Sequence, residues 1–458
     1  MSINQMIIAN AANGAISIIR LSGSGVIELL KDCIYINDKK CLFHDRELKE
    51  RHYSLSDYAF LQKGMLQKSR FKGGEVEDSV MVVYFEAPKS YTGEDMVEIH
   101  AHGGSGITSL IIKYFIEKGV RLAENGEFTK RAFLNGKLDL SEAEGVLALI
   151  NSGTQVQVQN AYKLHSGVLK DKIDKVLIEL KEIIAKMSAA IDYPEEGVEE
   201  DTITEVEKKL KNILDEINKL KDSFSEGDII KNGVDVVLTG DVNVGKSLIL
   251  NALVGNDSAI VTDIAGTTRD IIKDSYQYKG YKFNIFDTAG IRESEDIVEK
   301  IGIEKAKNII EQADIVLNVI DITAKNKQPK TNSQNTILVE NKMDLVNDST
   351  DDHQPATNHH IKISALKNIN IDALKEKIYN KSINFTHNDI VLTEKRHYDC
   401  VFRCNEALKN AIKNIKTNST DLVYSDLMVS YQSIAEITGI IVTDEIIDEV
   451  FSKFCVGK

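Results

Sequence analysis

No apolar run in the sequence approaches the roughly 18 residues that span a bilayer, so no membrane association is expected. The opening residues, MSINQMIIANAANG, lack the basic region and the long apolar stretch of a secretory signal, and a cytoplasmic chain is expected. Cysteine is scarce and odd in number, at positions 33, 41, 400, 404 and 455. That fits a reducing compartment and not a disulfide framework. His397, Cys400 and Cys404 could share a helix face, but no fourth ligand is evident and a metal site there is not expected. Positive charge is in deficit: 56 Lys and Arg against 70 Asp and Glu leave a net charge of −14. Non-specific coating of nucleic acid depends on neutralising phosphates, so that mode is disfavoured while a local basic site is not.

What is present is an ordinary globular composition, 42% hydrophobic and 28% charged over 458 residues, enough for about three domains at roughly 150 residues each. Residues 1–118 alternate β-rich runs with turns. AISIIRLSG (15–23), SVMVVYF (79–85) and MVEIHAHGG (96–104) predict strands, and SGITSLIIKYFIEKG (105–119) predicts a helix ended by Gly119. From 119 to 232 the pattern becomes helical. Apolar residues at 173, 176, 177, 180, 184, 187 and 191 form one stripe; Ile203, Val206, Leu210, Ile213, Ile217 and Leu220 form another. DYPEEGVEED separates the two stripes, which predict an antiparallel bundle, with a free coiled coil as the alternative.

Residues 233–380 alternate strands and helices. VDVVLTG, YKFNIFDTAG, ADIVLNVID, NTILVENKMD and HIKISAL are continuous apolar runs, as expected of a parallel sheet buried on both faces. Residues 381–458 return to helix, with Gly439 as a stop and Thr443, Asp444 and Glu445 starting a last helix. The expected fold is therefore multidomain: an α+β domain, then a helical domain interrupted by an α/β domain of P-loop type.

GDVNVGKS (240–247) matches the phosphate-binding pattern, after a strand and before a helix. Glycines let backbone N–H groups approach phosphates, Lys246 supplies charge, and Ser247 can ligate Mg²⁺. Asn243, Val244, Gly245 and Leu248 complete that segment. Asp287, Thr288, Ala289 and Gly290 follow a strand and fit a second phosphate loop, with Asp287 near Mg²⁺. Asn341, Lys342, Met343 and Asp344 end another strand; Asp344 can accept from guanine N1–H and its 2-amino group, which adenine does not offer. Ser364, Ala365 and Leu366 fit the following base-contact loop. GTTRD (266–270) offers Thr268 to Mg²⁺. Five elements in this order point to GTP. Yet no Gln follows Gly290 to orient the attacking water, since the next residue is Ile291. Arg269 and Arg292 are the candidates for an arginine finger.

Longer motifs carry a resemblance. SIIRLSG (17–23), YTGEDMVEIHAHGG (91–104), GEFTKRAFLNGKLDLSEAEGV (126–146), IVTDIAGTTRD (260–270), DTAGIRESEDIVEKIGIEKA (287–306) and SKFCVGK (452–458) resemble the MnmE (TrmE) family of tRNA modification GTPases over essentially the whole chain. The resemblance implies a homodimer activated by pairing of its G domains around K⁺. The K⁺ ligands would be Asn243, Thr262, Ile264 and Thr267, within a GTP-contacting loop that includes Asp263, Ala265 and Gly266. A cation there would neutralise charge developing in phosphoryl transfer. The water-orienting residue would be Glu299, acting through a bridging water; Glu293, Glu295 and Asp296 are indistinguishable from it by local chemistry.

The resemblance further implies an N-terminal fold that forms the dimer and binds a one-carbon tetrahydrofolate, 5-formyl or 5,10-methylene. Arg20, Glu98, Lys137 and Lys458 are the matching positions. Cations suit the folate glutamate and Glu98 suits pterin N–H donors. Cys455, in the CVGK ending, does not fit a prenylation box and its role stays open. The implied partners are an FAD protein of the MnmG/GidA type and tRNA. The implied reaction adds a carboxymethylaminomethyl or aminomethyl group at C5 of the wobble uridine. Three positions depart from the family pattern: Val242 in place of Pro, NAANGA (10–15) in place of a Gly/Arg-rich loop, and Lys273 in place of Arg. Two other readings are a ribosome-assembly GTPase of the Era/Der sort, which should carry a KH-type domain or a second P-loop, and a folate-dependent one-carbon transferase with a regulatory G domain.

Overall fold

The computed structural model describes residues 7–11, 14–42, 58–61, 63–192, 200–255, 274–287, 310–324, 335–346, 360–385, 389–415 and 420–457. Two compact units are distinguished. One is drawn from Met1–Leu147, His165–Asp174 and Ala435–Lys458, the other from Ala148–Leu164 and Lys175–Ile434.

The first unit is built on nine strands: β1 (Ile7–Ala11), β2 (Ile16–Ser22), β3 (Ile34–Ile36), β4 (Lys39–Leu42), β5 (Tyr58–Phe60), β6 (Gln67–Gly73), β7 (Val76–Phe85), β8 (Met96–His102) and β9 (Arg121–Leu122). Their order is β5-β4-β3-β6-β7-β8-β2-β1-β9. Neighbours are antiparallel except β1 with β9 and β4 with β5. Period-two alternation sets the faces. In β2, Ile19 and Leu21 enter the core while Ile18 and Arg20 take the opposite face. That core joins Val97 and Ile99 of β8 to Val26 and Leu30 of α1 (Val26–Leu30) and to Ile111 and Phe115 of α2 (Ser105–Glu117). The three expected strands and the expected helix fall on β2, β7, β8 and α2. Strand β6 carries no sequence signal, because QKSRFKG is mostly polar; it forms because β3 and β7 pair with it on either side and Phe71 is fully buried. Helix α3 (Glu127–Leu134) follows β9.

Helices α4 (Leu140–Asn151), α5 (Gln155–His165), α6 (Val168–Asp192), α7 (Glu200–Asp222) and α8 (Phe224–Asn232) come next. The second predicted stripe is buried at Val206, Leu210, Ile213, Ile217 and Leu220. In the first stripe Ile183 is buried and the expected Ile184 only half so.

The second sheet holds β10 (Val234–Gly240), β11 (Asp274–Tyr278), β12 (Tyr281–Asp287), β13 (Ile315–Asp321), β14 (Thr336–Asn341) and β15 (His360–Lys362), in the order β11-β12-β10-β13-β14-β15. Every pair is parallel except β11 with β12. One face packs Val236, Leu238, Ile285 and Leu317 against Ile249 and Leu253 of α9 (Lys246–Val254) and Leu374 and Ile378 of α10 (Ile371–Ser382). Each such aliphatic side chain contributes about 1.5–3 kcal/mol by leaving water. Strand β11 was not expected from DSYQY; buried Tyr276 stacks on Phe283 of β12, with ring centroids 5.1 Å apart.

The chain continues through α11 (Lys395–Ile415), α12 (Thr420–Thr438) and α13 (Asp444–Ser452). Helix α7 meets α11, where Asn405 Nδ2 donates to Asn218 Oδ1 at 2.8 Å. Gly439 stops α12 at φ +83°. Thr443 occupies the N-cap of α13 but makes no side-chain capping bond. Among the described residues no helix is long and apolar enough to cross a membrane. No group of three His, Cys, Asp or Glu among them could hold a metal ion; Cys400 and Cys404 are buried thiols, and burial pushes the Cys404 pKa up.

Candidate functional site

The apolar strand β10 delivers the chain to a tight loop that opens α9. Gly240 takes φ +144°, and a Cβ there would lie 2.2 Å from the Val319 carbonyl, so only glycine fits. Asn243 adopts the left-handed region at φ 65°, where Asn is among the few tolerated side chains. Gly245, at φ 97°, is the N-cap of α9, and the helix starts at Lys246. The unsatisfied N–H groups of that first turn, with the helix dipole, favour an anion. Lys246 is buried, and its Nζ donates to the carbonyls of Gly240 at 3.2 Å and Asp241 at 2.8 Å.

Parallel pairing of β10 with β12 sets Leu238 beside Asp287. Buried Asp287 ends β12 at the same sheet edge, and Ser247 Oγ donates to its Oδ2 at 3.5 Å. A hydroxyl and a carboxylate so placed are hard oxygen donors of the kind Mg²⁺ takes beside phosphates.

The base side is organised by β14. Buried Asn341 donates through Nδ2 to the Val244 carbonyl at 2.9 Å and accepts from the Ala365 amide at 3.1 Å. It ties the phosphate loop to the loop after β15. Lys342 turns the chain at φ 67° and donates to Asp321 Oδ2 at 2.6 Å. Desolvation alone would raise the Asp321 pKa, but Lys342 and Thr323 outweigh it and hold the carboxyl at about 2. Met343–Leu345 forms a 3₁₀ turn. Ser364 Oγ donates to Asp344 Oδ1 at 2.5 Å, which lowers the Asp344 pKa and keeps it an acceptor. Leu248 and Leu366 are exposed.

The expected nucleotide residues within the described chain therefore gather at the C-terminal edge of one parallel sheet, where ligands of open α/β sheets bind. Thr262, Asp263, Ile264, Ala265, Gly266, Thr267, Thr268, Thr288, Ala289, Gly290 and Glu299 lie outside the described residues, as do the arginine-finger candidates Arg269 and Arg292.

A second polar cluster lies in the first unit. Register pairs Arg20 of β2 with Glu98 of β8. Arg20 Nε donates to Glu98 Oε1 at 2.7 Å, and His100 Nε2 lies 3.3 Å from Glu98 Oε2. Arg20 also donates to the Gly457 carbonyl at 3.4 Å. Lys137 binds the Pro88 carbonyl at 3.0 Å, and Lys458 lies outside the described residues. Cys455 is exposed; its carbonyl accepts from the Gly126 amide.

Beside this cluster is a buried ion network to which the sequence reading assigned no role, although Glu94, Glu127 and Arg131 lie within the motifs at 91–104 and 126–146. Arg131, 5% exposed, donates to both oxygens of Glu94 at 3.1 and 2.9 Å and to Glu127 at 2.9 Å. Arg121 completes it, bonding both Glu127 oxygens at 3.0 and 2.6 Å. Burial alone would raise the Glu127 pKa, but Arg121, the Glu124 amide and Arg131 together lower it. Ser22 ties Glu94 to Thr92. Only Glu127 and Arg131 share one helix, and pairing partners 37 residues away are not visible in one dimension.

Residues 140–455 match the MnmE helical domain, and residues 6–137 match the N-terminus of the GTP-binding protein TrmE. A relative from Natranaerobius thermophilus, named tRNA modification GTPase MnmE, is 41% identical over 396 residues, covering 83% of this chain and 86% of its own length. Relatives of the same name from Carboxydothermus hydrogenoformans and Clostridioides difficile are 37% and 36% identical, each over 459 residues; both cover 97% of this chain, and 97% and 96% of their own lengths. With both halves of the chain matched and the phosphate and base loops brought to one sheet edge, the chain belongs to the MnmE family, the tRNA modification GTPases.

Proposed function

We propose that this chain is a K⁺-activated GTPase, working as a homodimer whose G domains pair in the active state. With an FAD-dependent partner of the MnmG/GidA type it adds a carboxymethylaminomethyl or aminomethyl group at C5 of the wobble uridine of certain tRNAs. The observation that carries the nucleotide reading is Asn341, which joins the phosphate loop at Val244 to the base loop at Ala365. The functional modules on this reading are 1–118 for dimerisation and folate, 233–380 for GTP, and 119–232 with 381–458 as the helical domain.

On this reading Lys246 leaves the Gly240 and Asp241 carbonyls to meet the β/γ-phosphate oxygens, and the first turn of α9 receives the phosphates. Ser247 and Thr268 would hold Mg²⁺, a fit supported by the Ser247–Asp287 pairing; the ion, when bound, neutralises charge on the phosphates. Asn243, with Thr262, Ile264 and Thr267, would hold K⁺, which supplies the positive charge an arginine finger otherwise brings. Asp344, held ionised by Ser364, reads guanine. Glu299 orients water. Opening and closing of the G domains then couples hydrolysis to the tRNA chemistry.

In the first unit, Arg20 and Glu98, with Lys137 and Lys458, would bind the one-carbon tetrahydrofolate. The group supplies a one-carbon unit when bound; Arg20 offers charge to a carboxylate and Glu98 offers acceptors to pterin N–H groups. Mass analysis of wobble-position nucleosides in tRNA from a deletion strain tests the whole reading. Loss of the C5 substituent is expected. Unchanged C5 modification would favour the ribosome-assembly alternative.

A further inference from the structure

We infer that Glu94 and Arg131 are positioning residues for the Arg20–Glu98 site: their ion pair clamps residues 88–95, a loop to which both Lys137 and the strand of Arg20 are tied. The inference rests on the folate reading above for the identity of the ligand, but not for the clamp.

The loop between β7 and β8 is held from two sides. On one side stand α3 and the turn after it. Arg131 Nη1 donates to both Glu94 oxygens, at 3.1 and 2.9 Å, with 5% of its side chain exposed. One turn further, Asn135 Nδ2 donates to the Thr92 carbonyl at 2.7 Å. The Tyr91 and Thr129 hydroxyls lie 2.9 Å apart. Gly93 takes φ +78°, and a Cβ there would lie 3.1 Å from Asn135 Cβ and 3.4 Å from Lys137 Cγ, so loop and turn are packed without slack. On the other side stands β2. Ser22 Oγ donates to Glu94 Oε2 at 2.8 Å and lies 2.7 Å from Thr92 Oγ1.

These ties end on two residues of the proposed ligand site. Ser22 and Arg20 are alternate residues of β2, which places them on one face of the strand. Lys137 Nζ donates to the Pro88 carbonyl at 3.0 Å, and the Lys137 amide donates to the Ala132 carbonyl at 2.8 Å. The loop therefore fixes where the Lys137 ammonium lies relative to the Arg20 strand. A buried two-bond pair suits that task, because the guanidinium fork matches a carboxylate in one orientation. Glu127 takes the same guanidinium at 2.9 Å, but its other partners are Arg121 and the Glu124 amide. It belongs to the ion network without belonging to the clamp. Glu94 and Arg131 act on the ligand through the loop and do not contact it.

The two arms of the network separate positioning from general stability. Glu94→Gln keeps the side chain's shape and removes the charge on the loop arm; Glu127→Gln does the same on the other arm. In full-length Glu94→Gln, trypsin should cut after exposed Lys89 several-fold faster than in wild type, because Ser90 and Thr92, buried in the clamped loop, come free. The affinity for 5-formyltetrahydrofolate should fall about tenfold, the loss expected when one charge-assisted hydrogen bond to a ligand is misplaced. Glu127→Gln should lower the unfolding midpoint to a similar extent, yet keep wild-type cleavage at Lys89 and an affinity within about twofold of wild type. Asn135→Ala, which removes the second tie on the loop without touching a charge, should repeat the Glu94→Gln result and guards against a folding defect in that variant. Wild-type cleavage in both Glu94→Gln and Asn135→Ala overturns the clamp. Faster cleavage with unchanged folate affinity overturns the positioning role, and so do equal affinity losses in Glu94→Gln and Glu127→Gln. If wild type binds no 5-formyltetrahydrofolate, the folate reading fails and the positioning role with it, while cleavage at Lys89 still decides the clamp.

Discussion

Asn341 holds Val244 across 97 residues of chain: its Nδ2 donates to the Val244 carbonyl at 2.9 Å, inside the phosphate loop. Its Oδ1 simultaneously accepts from Ala365. A single buried amide therefore ties the loop that opens α9 to the loop after β15, the two segments proposed above to hold phosphate and base. Gly245 is matched to it, since a Cβ there would come within 2.3 Å of the same Nδ2.

Asn341→Ala should leave the Val244 carbonyl and the Ala365 amide buried without partners, at roughly 1–3 kcal/mol for each unsatisfied group. The expected outcome is a lower unfolding midpoint and GTP affinity reduced by at least about tenfold. Fluorescent-nucleotide titration beside thermal unfolding checks it. Affinity equal to wild type would show that the two loops are held by other means.

Arg131→Ala should strip Glu94 and Glu127 of their shared cation. Removing one partner of a buried ion group costs about 3–5 kcal/mol, because the remaining charges stay buried. A double variant with Glu94→Gln should recover part of the loss. Calorimetry of the first unit's transition measures both; a loss below about 0.5 kcal/mol, within the range of an ordinary surface change, would mean that the network is hydrated and weak.

Asp321 carries a pH signature. Its carboxyl is moved from 3.8 to about 2, desolvation being outweighed by Lys342 and Thr323. A carboxylate with a depressed folded pKa contributes stability that is present above its unfolded pKa, near 4, and is lost as pH falls toward 2. Asp321→Asn should therefore be less stable than wild type at pH 5, and the difference should shrink between pH 4 and pH 2. Urea midpoints at three pH values report this; a gap independent of pH would remove the Lys342 pairing as its cause.

Glu299→Ala should leave GTP binding nearly intact and cut turnover sharply, since water positioning acts on the chemical step and not on ground-state binding. Single-turnover hydrolysis with saturating GTP separates the two. Equal rates would show that Glu293, Glu295, Asp296 or another group orients the water.

The legible parts of this molecule were those where chemistry and chain position coincide. Each of the five apolar runs of the α/β domain overlaps a strand, because a parallel sheet buried on both faces admits little else. The phosphate loop was readable because glycine and Asn at 240, 243 and 245 are demanded by backbone angles, which sequence records directly. Strands β6 and β11 were not readable, since their neighbours and not their own residues make them strands. The pairing of Arg20 with Glu98 followed from register between strands 78 residues apart; sequence offered it only through family resemblance. His100, on the other oxygen of Glu98, and the Arg131 network lie within quoted motifs, but nothing in one dimension singled them out from their neighbours.

The central claim is that charge at this GTP site is completed by a cation held at Asn243. The most direct measurement is the rate of GTP hydrolysis by the purified chain in K⁺ against Na⁺ at equal ionic strength, for wild type and Asn243→Ala. The account predicts fast turnover in K⁺, slow turnover in Na⁺, and a variant that no longer distinguishes them. Equal wild-type rates in the two salts would contradict it.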